Sequence, residues 1–178
     1  MNYAAIKPRD VANGPGVRVS LFVSGCTHHC EGCFQPETWD FSYGNPFTQM
    51  EEQEILNHLG RDYIAGLTLL GGEPLEPQNQ VALLPLLRRV RGLYPEKNIW
   101  CFTGYTLEDD ILAKKLGDFD ITAEILSYLD VLVDGEFVEH QKNLNLRFRG
   151  SENQRLLDIP KTLEANCAVL WSDGSERT

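Results

Sequence analysis

The chain has 178 residues, of which 42% are apolar, and a formal net charge of −10. This size and composition are typical of one globular domain rather than of a disordered chain. The acidic balance argues against nucleic acid and against an anionic membrane as partners, because both bind basic surfaces. No apolar stretch approaches the roughly 20 residues that a membrane-spanning helix needs.

The N-terminal stretch, residues 1–7, lacks the charged and then apolar layout of a signal peptide. We therefore expect a cytoplasmic protein, in which thiols stay reduced and clustered cysteines indicate metal or redox chemistry. The chain contains five cysteines. This odd number also disfavours a complete set of disulfides.

The first half of the chain alternates between strand and helix patterns. The β-branched and aromatic run at 17–23 predicts a strand that ends at Gly25. The capping-box pattern from Thr48 to Glu51 then predicts the start of a helix. A short buried strand follows at 67–70, and a leucine-rich helix is predicted over 79–93, where Pro85 introduces a kink or a later start.

The second half continues the alternation. Strands are predicted at 98–102 and 131–133, helices at 106–116 and 121–129, and a late strand at 167–171. Such alternation predicts a parallel sheet with covering helices, whose ligand site lies at the carboxyl ends of the strands. Because a full eight-unit barrel needs about 250 residues, we expect an α/β fold in the form of an incomplete, open β/α barrel.

Three cysteines, Cys26, Cys30 and Cys33, occupy one short loop directly after the first predicted strand. Thiolates at this spacing can converge on one metal centre, and three protein ligands leave one position of a four-coordinate site open. Several interpretations are compatible with this pattern. A structural zinc site needs a fourth ligand, which locally only His28 or His29 supplies. A disulfide is disfavoured by the reducing compartment, and an iron–sulfur cluster with one iron free fits best.

The order of motifs resembles that of radical S-adenosylmethionine enzymes, in which a Cys-x3-Cys-x2-Cys loop and a Gly-Gly-Glu-Pro turn each follow a strand. The turn is Gly71-Gly-Glu-Pro74 here. More narrowly, the chain resembles the activating component of anaerobic ribonucleotide reductase. That resemblance rests on Asn13-Gly-Pro-Gly-Val-Arg18, Trp100-Cys-Phe-Thr-Gly-Tyr105, Leu132-Val-Asp-Gly-Glu-Phe137 and Arg149-Gly-Ser-Glu-Asn-Gln154.

The resemblance implies how the chain is divided into a domain and an extension, and which kind of barrel the domain forms. The match runs to about Arg155, so residues 1–155 are expected to form a radical S-adenosylmethionine domain with the open barrel of that family. Residues 156–178 are then a C-terminal extension of unassigned role. Many enzymes of the wider family carry an aromatic residue directly before the third cysteine. Here that residue is Gly32, as is usual in the narrower activator family, and the aromatic residue is Phe34.

The resemblance also implies cofactors and their ligands. Cys26, Cys30 and Cys33 would hold three irons of a [4Fe–4S] cluster, whose fourth iron accepts the amino and carboxylate groups of S-adenosylmethionine. The residues expected to contact that cofactor are Gly32, Phe34, Gly71, Gly72, Glu73 and Pro74. Backbone carbonyls at the glycines are unshielded and can accept from the amino group, while Glu73 is either a direct acceptor or a brace for the loop. An aromatic ring can cover one face of the adenine.

By the same resemblance, one electron cleaves the cofactor to methionine and a 5′-deoxyadenosyl radical. This radical takes a hydrogen atom from a glycine Cα of the large reductase subunit, which is the protein substrate. The electron donor is expected to be flavodoxin-like or ferredoxin-like. Two alternatives stay open: activation of another glycyl-radical enzyme of the pyruvate formate-lyase type, and a non-catalytic zinc-binding module.

The functions of several other residues are less determined by the sequence. Thr103 and Asp134 end predicted strands, where related activators bind a monovalent cation, but strand-end capping explains them equally well. The stretch 149–154 is either a docking or positioning element or a solvated polar turn. His28 and His29 are expected to adjust the cluster through hydrogen bonds to sulfur. Cys101 and Cys167 lie in apolar runs and are expected to be buried free thiols.

Overall fold

The computed structural model describes residues 1–172 and contains one mixed sheet of seven strands. In chain order the strands are β1 (Asn2–Asp10), β2 (Val17–Val23), β3 (Asn45–Pro46), β4 (Ile64–Gly71), β5 (Asn98–Phe102), β6 (Val131–Asp134) and β7 (Arg155–Asp158). The helices are α1 (Gln49–Leu59), α2 (Pro77–Leu93), α3 (Phe119–Tyr128) and α4 (Ile159–Ala165). No helix in the described part of the chain is both long and apolar enough to cross a membrane.

The order of strands across the sheet is β3-β1-β2-β4-β5-β6-β7. Strands β2, β4, β5 and β6 are parallel, whereas β1, β3 and β7 each pair antiparallel with a neighbour. The sheet is open, because β3 and β7 end it on the two sides. The predicted α/β class and its open form are therefore confirmed, but the sheet is parallel only in its centre.

Strand β1 was absent from the sequence-based prediction. Its residues 7–9 are Lys, Pro and Arg, a combination that does not read as a sheet interior. The strand tolerates them because β3 pairs only with Asn2 and Tyr3, so most of β1 is a sheet edge. Proline and charged side chains are common at such edges, where they also prevent pairing with other chains.

Two predicted elements are wrong in extent. The helix expected at 106–116 is only a short π-helical turn, Leu107–Ile111, and Lys114 just beyond it adopts a left-handed backbone conformation with φ of 61°. The strand expected at 167–171 is a single antiparallel bridge between Leu157 and Leu170. Helix α2 begins earlier than predicted, at Pro77, and continues past Pro85. Pro85 is exposed, so water can satisfy the carbonyl that the proline leaves without a donor.

The predicted boundary at residue 155 coincides with the first residue of β7. This strand pairs with β6 along its whole length, from Arg155 opposite Asp134 to Asp158 opposite Val131. Leu157 and Ile159 belong to the main hydrophobic core. The described part of the predicted extension therefore contributes β7 and α4 to the same fold as the rest of the chain.

The central strands separate two layers. Alternate residues such as Leu69 and Cys101 pack under the helices, in a core with Ile55, Leu83 and Ile125. The residues between them point to the other face, where a smaller aromatic cluster contains Trp100, Phe102, Phe148 and Trp171. The helices therefore cover one face, and the other is covered by irregular segments.

Arg18 is fully buried at the start of β2 and holds the preceding loop on this second face. Its Nε donates to Thr68 Oγ1 at 2.6 Å, and its Nη1 donates to Asn98 Oδ1 at 2.6 Å. Thr68 Oγ1 in turn donates to the carbonyl of Asn13 at 2.9 Å. The Asn13-Gly-Pro-Gly-Val-Arg18 stretch is thus fixed on the sheet by side chains from β4 and β5.

Candidate functional site

A cavity of about 600 Å³ opens on the face of the sheet that the helices do not cover. Its wall includes Phe22, Leu70 and Phe102, which lie at or next to the carboxyl ends of the parallel strands. Ligands bind at such ends in α/β folds, and the volume suits a small-molecule cofactor. Seven of the predicted site residues line the cavity: Cys26, Cys30, Cys33, Phe34, Gly71, Gly72 and Glu73. Gly32 and Pro74 are not part of its wall.

The three cysteines are free thiols in the loop that follows β2. Cys26 is buried, Cys30 and Cys33 are half-buried, and the amide of Cys33 donates to the carbonyl of Cys30 at 3.2 Å in a tight turn. Burial raises the pKa of the Cys26 thiol to about 12 and also raises the pKa of Cys30. Because a metal binds the thiolate, metal binding at this loop would displace protons.

Glu73 fastens the cysteine loop to the neighbouring strand ends. Its side chain is 1% exposed, and its Oε1 accepts from the Leu75 amide at 2.8 Å and from Thr103 Oγ1 at 2.9 Å. Its Oε2 accepts from the Gly104 amide at 2.7 Å and lies 3.1 Å from His28 Nε2. Of the two predicted roles for Glu73, the contacts match that of a brace, because both oxygens are occupied by the protein itself.

Two further side chains of the same segment hold the loop, and neither belongs to the predicted site. Glu76 Oε1 accepts from the amide and the hydroxyl of Thr27, at 2.9 and 2.5 Å. Asn79 Nδ2 donates to the carbonyls of Ser24 and Glu73, at 3.0 and 2.9 Å. The signal that could have found them is their spacing of three residues, Glu73, Glu76 and Asn79, across the start of a helix.

The ring of His28 lies between two carboxylates. Its Nε2 contacts Glu73, and its Nδ1 is 2.9 Å from Oε1 of Glu136. Burial lowers its pKa, but the hydrogen bonds and charges of the two glutamates outweigh burial and raise the pKa to about 9. Both ring nitrogens are therefore occupied by carboxylates, and the predicted hydrogen bonds from His28 and His29 to sulfur are made by their backbone amides, which bond the Cys26 sulfur. His29 stacks on Trp39, with ring centroids 4.7 Å apart.

The glycines of Gly71-Gly-Glu-Pro74 let two backbone segments approach closely. Gly71 has a φ of +108°, and a Cβ there would lie 2.7 Å from the carbonyl oxygen of Val23. A Cβ on Gly72 would lie 2.7 Å from the carbonyl oxygen of Gly25. The Gly72 amide donates to Val23 and the Glu73 amide to Gly25, both at 2.8 Å. Glycine is required here because the turn packs directly on the start of the cysteine loop.

Residues 136–154, which we call the strap, form another part of the cavity wall. Phe137, Leu144, Leu146 and Phe148 of the strap line the cavity. The strap contacts the cysteine loop: Phe34 and Phe137 have ring centroids 5.1 Å apart.

The stretch 149–154 closes the neck of the strap, where its two ends meet. Gln154 accepts from the Gly150 amide at 2.8 Å and donates to the carbonyl of Gly135 at 3.0 Å. Arg149 Nη1 donates to the Gln154 carbonyl at 2.5 Å, and Asn153 Nδ2 donates to the Glu136 carbonyl at 2.8 Å. These polar side chains therefore organise a loop rather than forming a simple solvated turn.

Other predicted residues lie outside the cavity or have protein partners. Asp134 is buried and accepts from the amide of Leu107 at 3.0 Å and from Arg155 Nε at 2.9 Å. Cys101 is fully buried in the main core, as expected. Cys167 is exposed, so its predicted burial is wrong, because the segment after α4 is not an interior strand.

The chain is similar to known proteins over most of its length. A family model described as a 4Fe-4S single cluster domain matches residues 12–157. The chain is 47% identical over 158 residues to the anaerobic ribonucleoside-triphosphate reductase-activating protein of Enterobacteria phage T4, covering 88% of this chain and 93% of that protein. The chain belongs to the family of these activating proteins. Relatives of the same name in Escherichia coli K12 and Vibrio cholerae are 44% and 46% identical over 156 residues, covering 86% of this chain and 96% of each protein.

Membership of the reductase-activating family supports an iron–sulfur cluster, since the matched domain is one that carries a single 4Fe-4S cluster. The donor set fits this group, because three free thiols line one cavity wall and no fourth cysteine does. In residues 1–172 no three His, Cys, Asp or Glu side chains are grouped as ligands of a single metal ion. A cluster does not need such grouping, because each thiolate binds a different iron. The zinc module has less support, since the described residues contain no such group for a single ion and the ring nitrogens of His28 contact carboxylates.

Proposed function

We propose that this protein activates an anaerobic ribonucleoside-triphosphate reductase by forming a glycyl radical on it. The radical would arise by reductive cleavage of S-adenosylmethionine at a [4Fe–4S] cluster. The observation that carries this proposal is one cavity whose wall includes three free thiols together with Gly71, Gly72 and Glu73, in a chain of the reductase-activating family. The open sheet with its site at the strand ends is compatible with the incomplete barrel of radical S-adenosylmethionine enzymes.

Cys26, Cys30 and Cys33 are the residues that would hold the cluster, and the iron without a cysteine would take the cofactor's amino and carboxylate groups. When bound, the cluster would supply the one electron that splits S-adenosylmethionine. The products would be methionine, 5′-deoxyadenosine and a reductase that has lost one hydrogen atom from a glycine Cα. The electron comes from a flavodoxin-like or ferredoxin-like donor.

The protein's own residues position the cysteine thiols and enclose the space for the cofactor. Glu73 and Glu76 hold the loop between the first two cysteines through Thr27 and His28, so the thiols are arranged before the metal arrives. The backbone at Gly71 and Gly72 borders the cavity without side chains, which leaves room for an amino group to approach a carbonyl. Phe34 offers an aromatic face at the same wall. Gly32 and Pro74 would act through the shape of their loops.

The direct test is anaerobic incubation of the iron-loaded protein with S-adenosylmethionine, a reductant and an anaerobic ribonucleoside-triphosphate reductase. Electron paramagnetic resonance should detect a glycyl doublet on the reductase, together with equimolar 5′-deoxyadenosine. Omitting the cofactor should abolish both signals. Cofactor cleavage without a doublet, in the presence of intact reductase, would point to a different glycyl-radical partner. A colourless protein with stoichiometric zinc would contradict the proposal altogether.

A further inference from the structure

The tip of the strap, residues 142–149, is locally basic. It reads Lys-Asn-Leu-Asn-Leu-Arg-Phe-Arg and contains three cations and no acidic residue, in a protein of net charge −10. Lys142 and Arg147 are exposed. The tip is therefore a basic segment on an acidic protein, and it favours contact with an acidic surface.

The same tip presents an apolar side chain to solvent at the cavity. Leu144 lines the cavity and yet is 86% exposed, more than any other large hydrophobic residue in the described part of the chain. Phe34, also on the cavity wall, is 64% exposed, and Lys142 Nζ lies 5.2 Å from the centre of its ring. Exposed apolar side chains grouped beside cations are typical of protein contact surfaces.

The size of the cavity limits what can enter it. At about 600 Å³ it suits a small-molecule cofactor and a short stretch of peptide. A large protein substrate must therefore stay outside and send only a segment inward. Its remaining contacts fall on the residues around the opening, and the strap tip is a part of that opening that is exposed, apolar and basic.

The neck of the strap makes the tip a defined surface. Asn153 and Gln154 bond the C-terminal end of the strap to the carbonyls of Glu136 and Gly135 at its start, and Arg149 bonds Gln154 within the C-terminal end. The amide of Val138 also bonds Ser151 Oγ at 3.2 Å. An ordered loop loses less conformational entropy when it binds than a flexible one does.

From these observations, we propose that residues 142–149 dock the reductase, and that the reductase surface they contact is acidic with an apolar recess for Leu144. This inference rests on the proposed function, because it takes the reductase as the protein substrate. Beyond that function, the inference names the surface of this protein that selects the reductase and the chemical character of the reductase surface it contacts.

The test measures binding of the reconstituted, iron-loaded protein to the anaerobic ribonucleoside-triphosphate reductase by biolayer interferometry without oxygen. Leu144→Asp should raise Kd at least about tenfold, because it removes the apolar contact and adds a charge of the wrong sign. The control is Leu93→Asp, which places the same change on a 56% exposed leucine of α2 that does not line the cavity. It should change Kd less than about twofold.

A second pair of variants tests the charge. Lys142→Glu should raise Kd several-fold and make it less dependent on salt, whereas Lys115→Glu, which changes the net charge equally at a 62% exposed side chain, should change neither. Thermal unfolding of each variant checks that the fold is intact.

The outcomes separate this inference from the function on which it rests. If wild type forms the glycyl radical but Leu144→Asp and Lys142→Glu bind as tightly as wild type, the docking surface is wrong and the function stands. If wild type neither cleaves the cofactor nor yields a radical, the proposed function itself fails.

Discussion

The cysteine loop and the strap both border the cavity and both lack α-helices and β-strands, but they are held in different ways. The cysteine loop is bonded to buried side chains of another segment, Glu73, Glu76 and Asn79. The strap is bonded chiefly between its own two ends, through part-buried or exposed groups such as Gln154 and Asn153. The proposed roles are consistent with this difference: a loop that would present thiols to a rigid cluster needs external anchors, whereas a loop that would meet a partner needs only its two ends joined.

The largest expected effect is at the thiols themselves. Cys30→Ala should abolish cluster assembly and cofactor cleavage, because two cysteines cannot hold three irons. The measurements are iron content and visible absorbance after anaerobic reconstitution, followed by 5′-deoxyadenosine release. Cys101→Ala is the matched control, since Cys101 is buried in the main core away from the cavity, and it should retain both. Full cleavage by Cys30→Ala would reject the ligand assignment.

The second prediction concerns the anchor of the cysteine loop. Glu73→Ala should lower the free energy of unfolding by about 3 kcal/mol, because it leaves buried donors of Thr103 and Gly104 without an acceptor. Urea unfolding of the metal-free protein followed by circular dichroism measures this. Glu54→Ala, at an exposed carboxylate 3.8 Å from His58, should have little effect. Equal stability of the two variants would show that Glu73 is not an anchor.

The third prediction concerns the neck of the strap. Gln154→Ala should cost about 2 kcal/mol of stability, since its amide makes hydrogen bonds at both ends of the strap. Trypsin should then cut the strap faster after Arg147 or Arg149, because the two ends of the strap separate more often. Gln53→Ala, at an exposed glutamine of α1, is the control. An unchanged rate of tryptic cutting in the strap would contradict the role of Gln154 in holding its two ends together.

The smallest effect on stability is expected at the contact between the cysteine loop and the strap. Gly32 has a φ of +73°, and a Cβ there would lie 2.0 Å from Oε2 of Glu139 in the strap. Gly32→Ala should cost about 1 kcal/mol, part of it from backbone strain and part from displacing Glu139. In the double variant Gly32→Ala/Glu139→Ala, the stability lost by displacing Glu139 should be recovered, whereas the loss from backbone strain should remain. A double-mutant cycle measures the recovered part. Strict additivity of the two substitutions would mean that the side chains do not interact.

The α/β class, the central strands and the cysteine loop were predictable from sequence because each depends on local patterns. The run at 17–23 is rich in β-branched and aromatic residues, and it is β2 in the structure. Strand β1 was not predicted, and the helix predicted over 106–116 is only the short turn Leu107–Ile111. In both, tertiary contacts override local preference: β1 pairs along β2, and Asp134 captures the amide of Leu107.

By itself, the sequence determined which chemistry the chain carries: three thiols within eight residues after a strand, a glycine-rich turn after the next, and an alternation of strands and helices. Only the tertiary structure decided how those thiols are held and what surrounds them. Thr27 and Glu76 are 49 residues apart, and His28 and Glu136 are 108 apart. Contacts at such separations depend on how the strands are ordered in the sheet, and no local pattern of residues encodes that order.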